Sequence, residues 1–396
     1  MKRRDVLGLV GASVAGTSGC LRLQGGGNST PGESPTPDGS PSGDASSGES
    51  NEVTLTETWT DEGGVDFIWT DEGSFYFNDY NYAAEASHGN GVEWSADTTH
   101  DGVDENLGAD AFATDGQYVV FGYIPDPEGN EERGGHFHAY EKRTGEKAWV
   151  SAAPSDGMHN HAIGATVVGD VAVLAASDYG DESEQEPLVR GVDVETGETR
   201  WETDQSVLPP SLINYLGSYD GDVYVGMEDG VQVLAGETGE RVETHDSWYI
   251  GQSWNESLGQ IHGETLFAAW GNRLSAHPLG GNGVSWSNSE IGDLYTPPAV
   301  DNSLVVVGTA EGGVYAFERG SGEARWEASV TNSVGAIETT GSHVWVGDTE
   351  IGLTAYERET GSLVHRSTKP VGGDDIAVAD DVLLLGGAAA TAYLIE

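Results

Sequence analysis

Six of the eleven histidines in this 396-residue chain, His88, His100, His136, His138, His159 and His161, lie close together in sequence. Two pairs alternate, His136-Phe137-His138 and His159-Asn160-His161. Successive side chains of an extended chain point to opposite faces, so each pair presents both imidazoles on one side. Neutral imidazole donates a lone pair to Zn²⁺, Cu²⁺ or Ni²⁺, and carboxylates such as Asp101, Asp104, Asp126, Asp178 and Asp181 can complete such a shell. His136, His138, His159 and His161 are therefore the candidate ligands for a transition metal. Their spacing matches no established ligand signature. The competing reading is that histidine is a polar residue tolerated at strand starts in a chain poor in lysine.

No other arrangement of reactive residues stands out. The Gly-x-Ser-x-Gly, His-Glu-x-x-His and phosphate-loop patterns do not occur, and no catalytic residue is assigned. The tryptophans Trp94, Trp149, Trp201, Trp286 and Trp326 could form a stacking platform for a ligand. They recur at one fixed place in a repeat, however, which marks them as packing residues.

That repeat must position the histidines. Its clearest copy is Gly312 to Trp326, GGVYAFERGSGEARW: a strand, a turn at Ser321-Gly322 and a second strand ending on Trp326. Gly322 sits where the turn needs a positive φ. Related copies end at Trp94, Trp149, Trp201, Glu243, Trp286 and His365, with turn glycines at Gly145, Gly197, Gly239 and Gly361 and Asn282 at the turn of the fifth. An upstream strand closes on Gly122, Gly226, Gly308, Gly347 or Gly386. The later copies are spaced by about forty residues, the length of one four-stranded propeller blade.

The order within a blade is then innermost strand, glycine-ended strand, strand of the Ala-Tyr type, and outer strand ending in tryptophan. The final TAYLIE, Thr391 to Glu396, lacks an outer strand, and VTLTETWT, Val53 to Thr60, lacks a blade. Pairing the two closes the ring and hides an edge. The expected fold is all-β: an eight-bladed β-propeller of four-stranded antiparallel blades spanning 53–396, with seven blades as the alternative count. The histidine pairs then fall at strand starts of neighbouring blades, on the rim that also carries the polar insertions IPDPEGNEERG and DYGDESEQEP.

This pattern resembles the pyrroloquinoline-quinone-type (PQQ-like) repeat propellers, including the propeller lipoproteins of outer-membrane barrel assembly. The resemblance covers nearly all of Val53 to Glu396, and the copies ending at Glu243 and His365 depart from it. It implies either a binding scaffold or a quinone-dependent dehydrogenase. Those dehydrogenases typically carry a vicinal cysteine disulfide and a Ca²⁺ site. Cys20 is the only cysteine here and lies outside the repeats, so PQQ is not expected as a cofactor.

Acidic residues outnumber basic ones 66 to 17, a net charge of −49. Charge of one sign at this density repels itself unless salt screens it, which suits a protein of a halophile and excludes nucleic acid as a partner. Lys2-Arg3-Arg4 followed by the apolar run Val6 to Ala15 reads as a twin-arginine signal segment over 1–19, too short to span a bilayer. Thr17-Ser18-Gly19-Cys20 resembles a lipobox, with Cys20 the residue to be lipidated. From 20 to 52 the Gly, Ser, Pro and Thr composition predicts a disordered stalk. Asn28 and Asn255 fit glycosylation acceptors. The expected protein is a monomeric, lipid-anchored, non-catalytic propeller on the outer side of the cell membrane, binding an envelope or secreted protein.

Overall fold

The strand Val171–Asp178, VAVLAASD, serves two cores at once. Val171, Val173 and Ala175 turn to one side and Ala172, Leu174 and Ala176 to the other, and all six are fully buried. A strand that is apolar on both faces must be covered on both. A ring of blades provides that cover. The computed structural model describes residues 53–396 apart from 62–64, 66, 80–81, 88–90, 99–106, 125–134, 153–159, 179–186, 205, 254–255, 282, 290, 350–351, 368–374 and 388. Cys20, the signal segment and the stalk lie outside the described residues.

Eight antiparallel sheets of four strands form the propeller, with no helix among the described residues. In the second blade the order from the axis outward is Leu107–Thr114, Tyr118–Ile124, His136–Glu141 and Lys147–Ala152. Six other blades follow the same chain order. The eighth is assembled from both ends of the propeller: Ile376–Ala379, Val382–Leu385 and Ala390–Ile395 are followed in space by Leu55–Asp61. Leu55 pairs with Ile395 and Asp61 with Ala390, with an irregularity between Glu57 and Trp59. Thr54 and Glu396 exchange backbone hydrogen bonds of 2.9 and 3.0 Å beyond it. Eight blades, closed by the terminal strands, is therefore the architecture.

The buried core lies between blades. Eight apolar clusters occur, one in each seam. A tryptophan of one blade docks on the turn of the next. The Trp326 indole N–H donates to the Arg358 carbonyl at 2.8 Å, and a Cβ on Gly361 would lie 2.7 Å from the Trp326 ring. Trp94, Trp149, Trp201 and Trp286 repeat the hydrogen bond, to the carbonyls of Lys142, Val194, Gly236 and Arg319. The turn glycine is thus fixed twice, by a φ of about +70° and by an indole that leaves no room for a side chain.

Trp59 shares the packing position of this set but not its hydrogen bond, its indole N–H having no acceptor among the described residues, and the sequence pattern did not include it. It stands opposite Ala392 just as Trp326 stands opposite Ala316, and it lies against Gly91 of the first blade. His365 takes the tryptophan position of the seventh blade, and its Nδ1 lies 3.0 Å from the carbonyl of Val53, just before the closing strand. Scarce cations tie some seams further. Arg358 grips Asp301 of the preceding blade through two bonds of 2.6 and 2.8 Å. Burial alone would raise the Asp301 pKa, but this fork and the Ser303 and Leu304 N–H groups outweigh it and hold the carboxyl at about 2. Lys142 reaches back from the second blade to Asp71 of the first in the same way.

Candidate functional site

The ring has two loop faces. One, called here the upper face, carries the connections between blades and the loops from second to third strand. His136 opens the third strand of the second blade, and His161 lies one residue into the innermost strand of the third, Asn160–Val168. Chain order therefore puts both at the upper face. The rings of His136 and His138 are 6.5 Å apart. His138 is fully buried, with Nδ1 3.2 Å from the Tyr140 hydroxyl and its ring 4.8 Å from that of Tyr123. His136 is partly exposed. His159 lies outside the described residues, as do both acidic insertions apart from their ends, among which Asp178 closes the strand Val171–Asp178 opposite Asn160. Among the described residues, no group of three histidine, cysteine or carboxylate side chains is placed to hold a metal ion.

A second feature of the upper face comes from the copy that ends at Glu243. With no tryptophan at that position, the seam between the fourth and fifth blades is filled differently. The linking segment after Arg241–His245 turns at Asp246-Ser247, where the Trp248 N–H reaches the His245 carbonyl, and then places Trp248 and Ile250 inward and Tyr249 outward. The Trp248 ring is 1% exposed. It stacks on His245 at 3.7 Å with the planes 3° apart, and lies 4.7 Å from His277. Two histidines and an indole thus replace the docked tryptophan.

Both histidines are held neutral. Burial pushes the His277 pKa down to about 4, with Arg273 and His245 adding to the effect and the Gly283 carbonyl opposing it. Burial also lowers His245, against the attraction of Glu243 and Asp246. His277 Nε2 pairs with the Ser275 hydroxyl at 2.9 Å. The segment is tied down by Gly251 N–H to the Ala269 carbonyl at 2.7 Å and by the Asn214 amide to the Ile250 carbonyl at 2.8 Å.

Held by this packing, Tyr249 faces outward next to Trp270, which ends the second strand of the fifth blade, Thr265–Trp270. The two rings are 5.4 Å apart, and the residues are 40% and 56% exposed. Buried aromatics belong to seams, but a tryptophan exposed to this extent beside a tyrosine adds nothing to the core. Trp and Tyr are the residues most enriched at binding hot spots. The sequence held one hint of this surface: the missing tryptophan at 243 leaves an indole-sized gap that another residue must fill.

The fold and its seams define a class, the eight-bladed propeller of PQQ-like repeats. The chain belongs to the family described as outer membrane protein assembly factor BamB, which matches residues 82–366. Similar solved structures include BamB from Moraxella catarrhalis, at 18% identity and a TM-score of 0.61, covering 86% of this chain and 100% of that one. The computationally designed Ika8 protein matches at 13% identity and a TM-score of 0.64, over 86% and 98% of the two chains. The quinohemoprotein alcohol dehydrogenase of Comamonas testosteroni matches at 12% identity and 0.63, over 87% of this chain and 76% of the enzyme. At these identities the structural likeness establishes the fold alone. No curated protein matches the chain.

Proposed function

We propose that this protein is a non-catalytic, lipid-anchored propeller that holds a partner protein at the outer side of the cell membrane. The observation that carries the reading is the exposed Tyr249–Trp270 pair, set on a rigid seam of the upper face. Family membership supports a scaffold, since the family is described by an assembly role rather than a reaction. The lipid anchor rests on Cys20 and its twin-arginine leader, and the expected partner is an envelope or secreted protein.

The test is purification of the membrane-extracted chain in molar salt beside a Tyr249→Ala/Trp270→Ala variant. A stoichiometric partner should accompany the first, and its affinity for the variant should fall by about 30-fold or more, as for a hot-spot residue. The variant's melting temperature should be unchanged. A partner retained equally by both proteins refutes this surface. Mass spectrometry of the same preparation should find a lipid-modified N-terminal Cys20, and a Cys20→Ala variant that stays membrane-bound refutes the anchor.

A further inference from the structure

The innermost strands leave a cavity of about 350 Å³ on the ring axis, bordered by residues of six blades. Small-molecule sites run from about 300 to 1,000 Å³. One side of it is aromatic: Phe67 and Trp69 lie 5.9 Å apart with planes at 20°. Trp69 is fixed in turn by stacking on Phe112 at 5.0 Å. Ser257 and Glu338 also border it, Asp375 lies beside the aromatic side, and no lysine or arginine among the described residues borders the cavity.

These polar groups differ in how far they are already engaged. Asp375 accepts backbone N–H bonds from Ile68 at 2.7 Å and from Ile376 at 2.9 Å. The Ser257 hydroxyl oxygen is buried and has no hydrogen-bond partner among the described residues. Glu338 stands opposite Trp345 across the strands Val334–Thr339 and His343–Asp348, and the Trp345 indole N–H is also buried without an acceptor among the described residues. Burial lifts the Glu338 carboxyl to about 7, opposed only by the Thr339 N–H. No cationic side chain among the described residues offsets it.

We propose that this cavity binds a small organic cation, an ammonium group on an apolar body, with Glu338 as counter-ion and Phe67 and Trp69 as the aromatic wall. A carboxyl whose charge desolvation disfavours becomes fully charged when a cation arrives beside it. An aromatic face attracts the same charge, and the apolar body separates such a ligand from K⁺ or Na⁺. An anion would meet Glu338 and Asp375, with no cationic side chain among the described lining residues to balance them. Asp375, from the neighbouring blade, is the other titratable group facing the cavity among the described residues. Ligand entry therefore expels the Glu338 proton. This site is separate from the Tyr249–Trp270 surface, and either can fail without the other.

The experiment is titration calorimetry of the full chain in molar KCl near pH 7, with 2-phenylethylammonium as the probe and 2-phenylethanol as its uncharged match. The ammonium should bind about tenfold or more tightly than the alcohol. Repeating the titration in buffers of different ionisation enthalpy should reveal release of about half a proton per ligand. Glu338→Gln, equal in size and already uncharged, should weaken the ammonium by about tenfold and abolish the proton release. Equal binding of alcohol and ammonium, an unchanged affinity in Glu338→Gln, or the absence of proton release from the unmodified protein each overturns the proposal. The last measurement needs no variant, so a folding defect cannot mask the answer.

Discussion

Acidification should open the seam between the fourth and fifth blades before the others. In the native protein His277 binds a proton only near pH 4, against an ordinary value of 6.5. The unfolded chain therefore holds more protons between those values, and stability falls as the pH drops from 6.5 to 4. Each pKa unit corresponds to about 1.4 kcal/mol, so the full loss attached to His277 is about 3 kcal/mol. That is a large share of the roughly 5–15 kcal/mol that keeps a domain folded. The cause is geometric: an imidazolium here would sit beside Trp248 and His245, with Arg273 nearby and only the Gly283 carbonyl to favour it.

Glu338 works in the opposite direction. Its native pKa of about 7 exceeds the ordinary 4.5, so its share of stability is lost as pH rises through that window. The two effects offset each other between pH 4.5 and 6.5, and the wild-type curve alone is uninformative. The assay is denaturation followed by circular dichroism at constant molar salt, from pH 8 to 4, for the wild type and His277→Gln. Relative to the variant, the wild type should lose about 3 kcal/mol on acidification, mostly below pH 6.5. Parallel curves for the two proteins refute the account of this seam.

Trp326→Ala should cost about 3–5 kcal/mol in chemical denaturation, because a docked indole and its bond to Arg358 are both removed. Gly361→Ala should cost about 1–3 kcal/mol at the same seam, through a strained φ and a Cβ against the Trp326 ring. Structure should be lost on dilution from molar to millimolar salt, since the charge of −49 is then unscreened; a constant melting temperature contradicts this. The histidine rim is expected to hold one divalent transition ion per chain. His159→Ala and His161→Ala should abolish that binding with the fold intact, and metal analysis showing no difference between these variants and the wild type contradicts the site.

The repeat alone determined most of the architecture. A strand that alternates apolar residues, a glycine that must take positive φ and a tryptophan at a fixed offset are local requirements, so they remain visible in most copies. The four-strand order and the pairing of Val53–Thr60 with the C-terminal strand followed from them, because an unfinished blade at one end matched a spare strand at the other. Trp59 escaped notice because its role depends on register: only the pairing with Ala392 puts it where Trp326 stands in its own blade. The His245–Trp248–His277 stack was hidden for a related reason. His245 and His277 are distant in sequence and belong to different blades, and nothing in either neighbourhood announces the other. Glu338, in the strand VGAIET, reads as one more polar residue in an alternating pattern. Closing the ring turns that position toward the axis, where desolvation rather than sequence sets its charge. Local conformation is encoded residue by residue, but the burial that shifts a pKa exists only once distant strands meet.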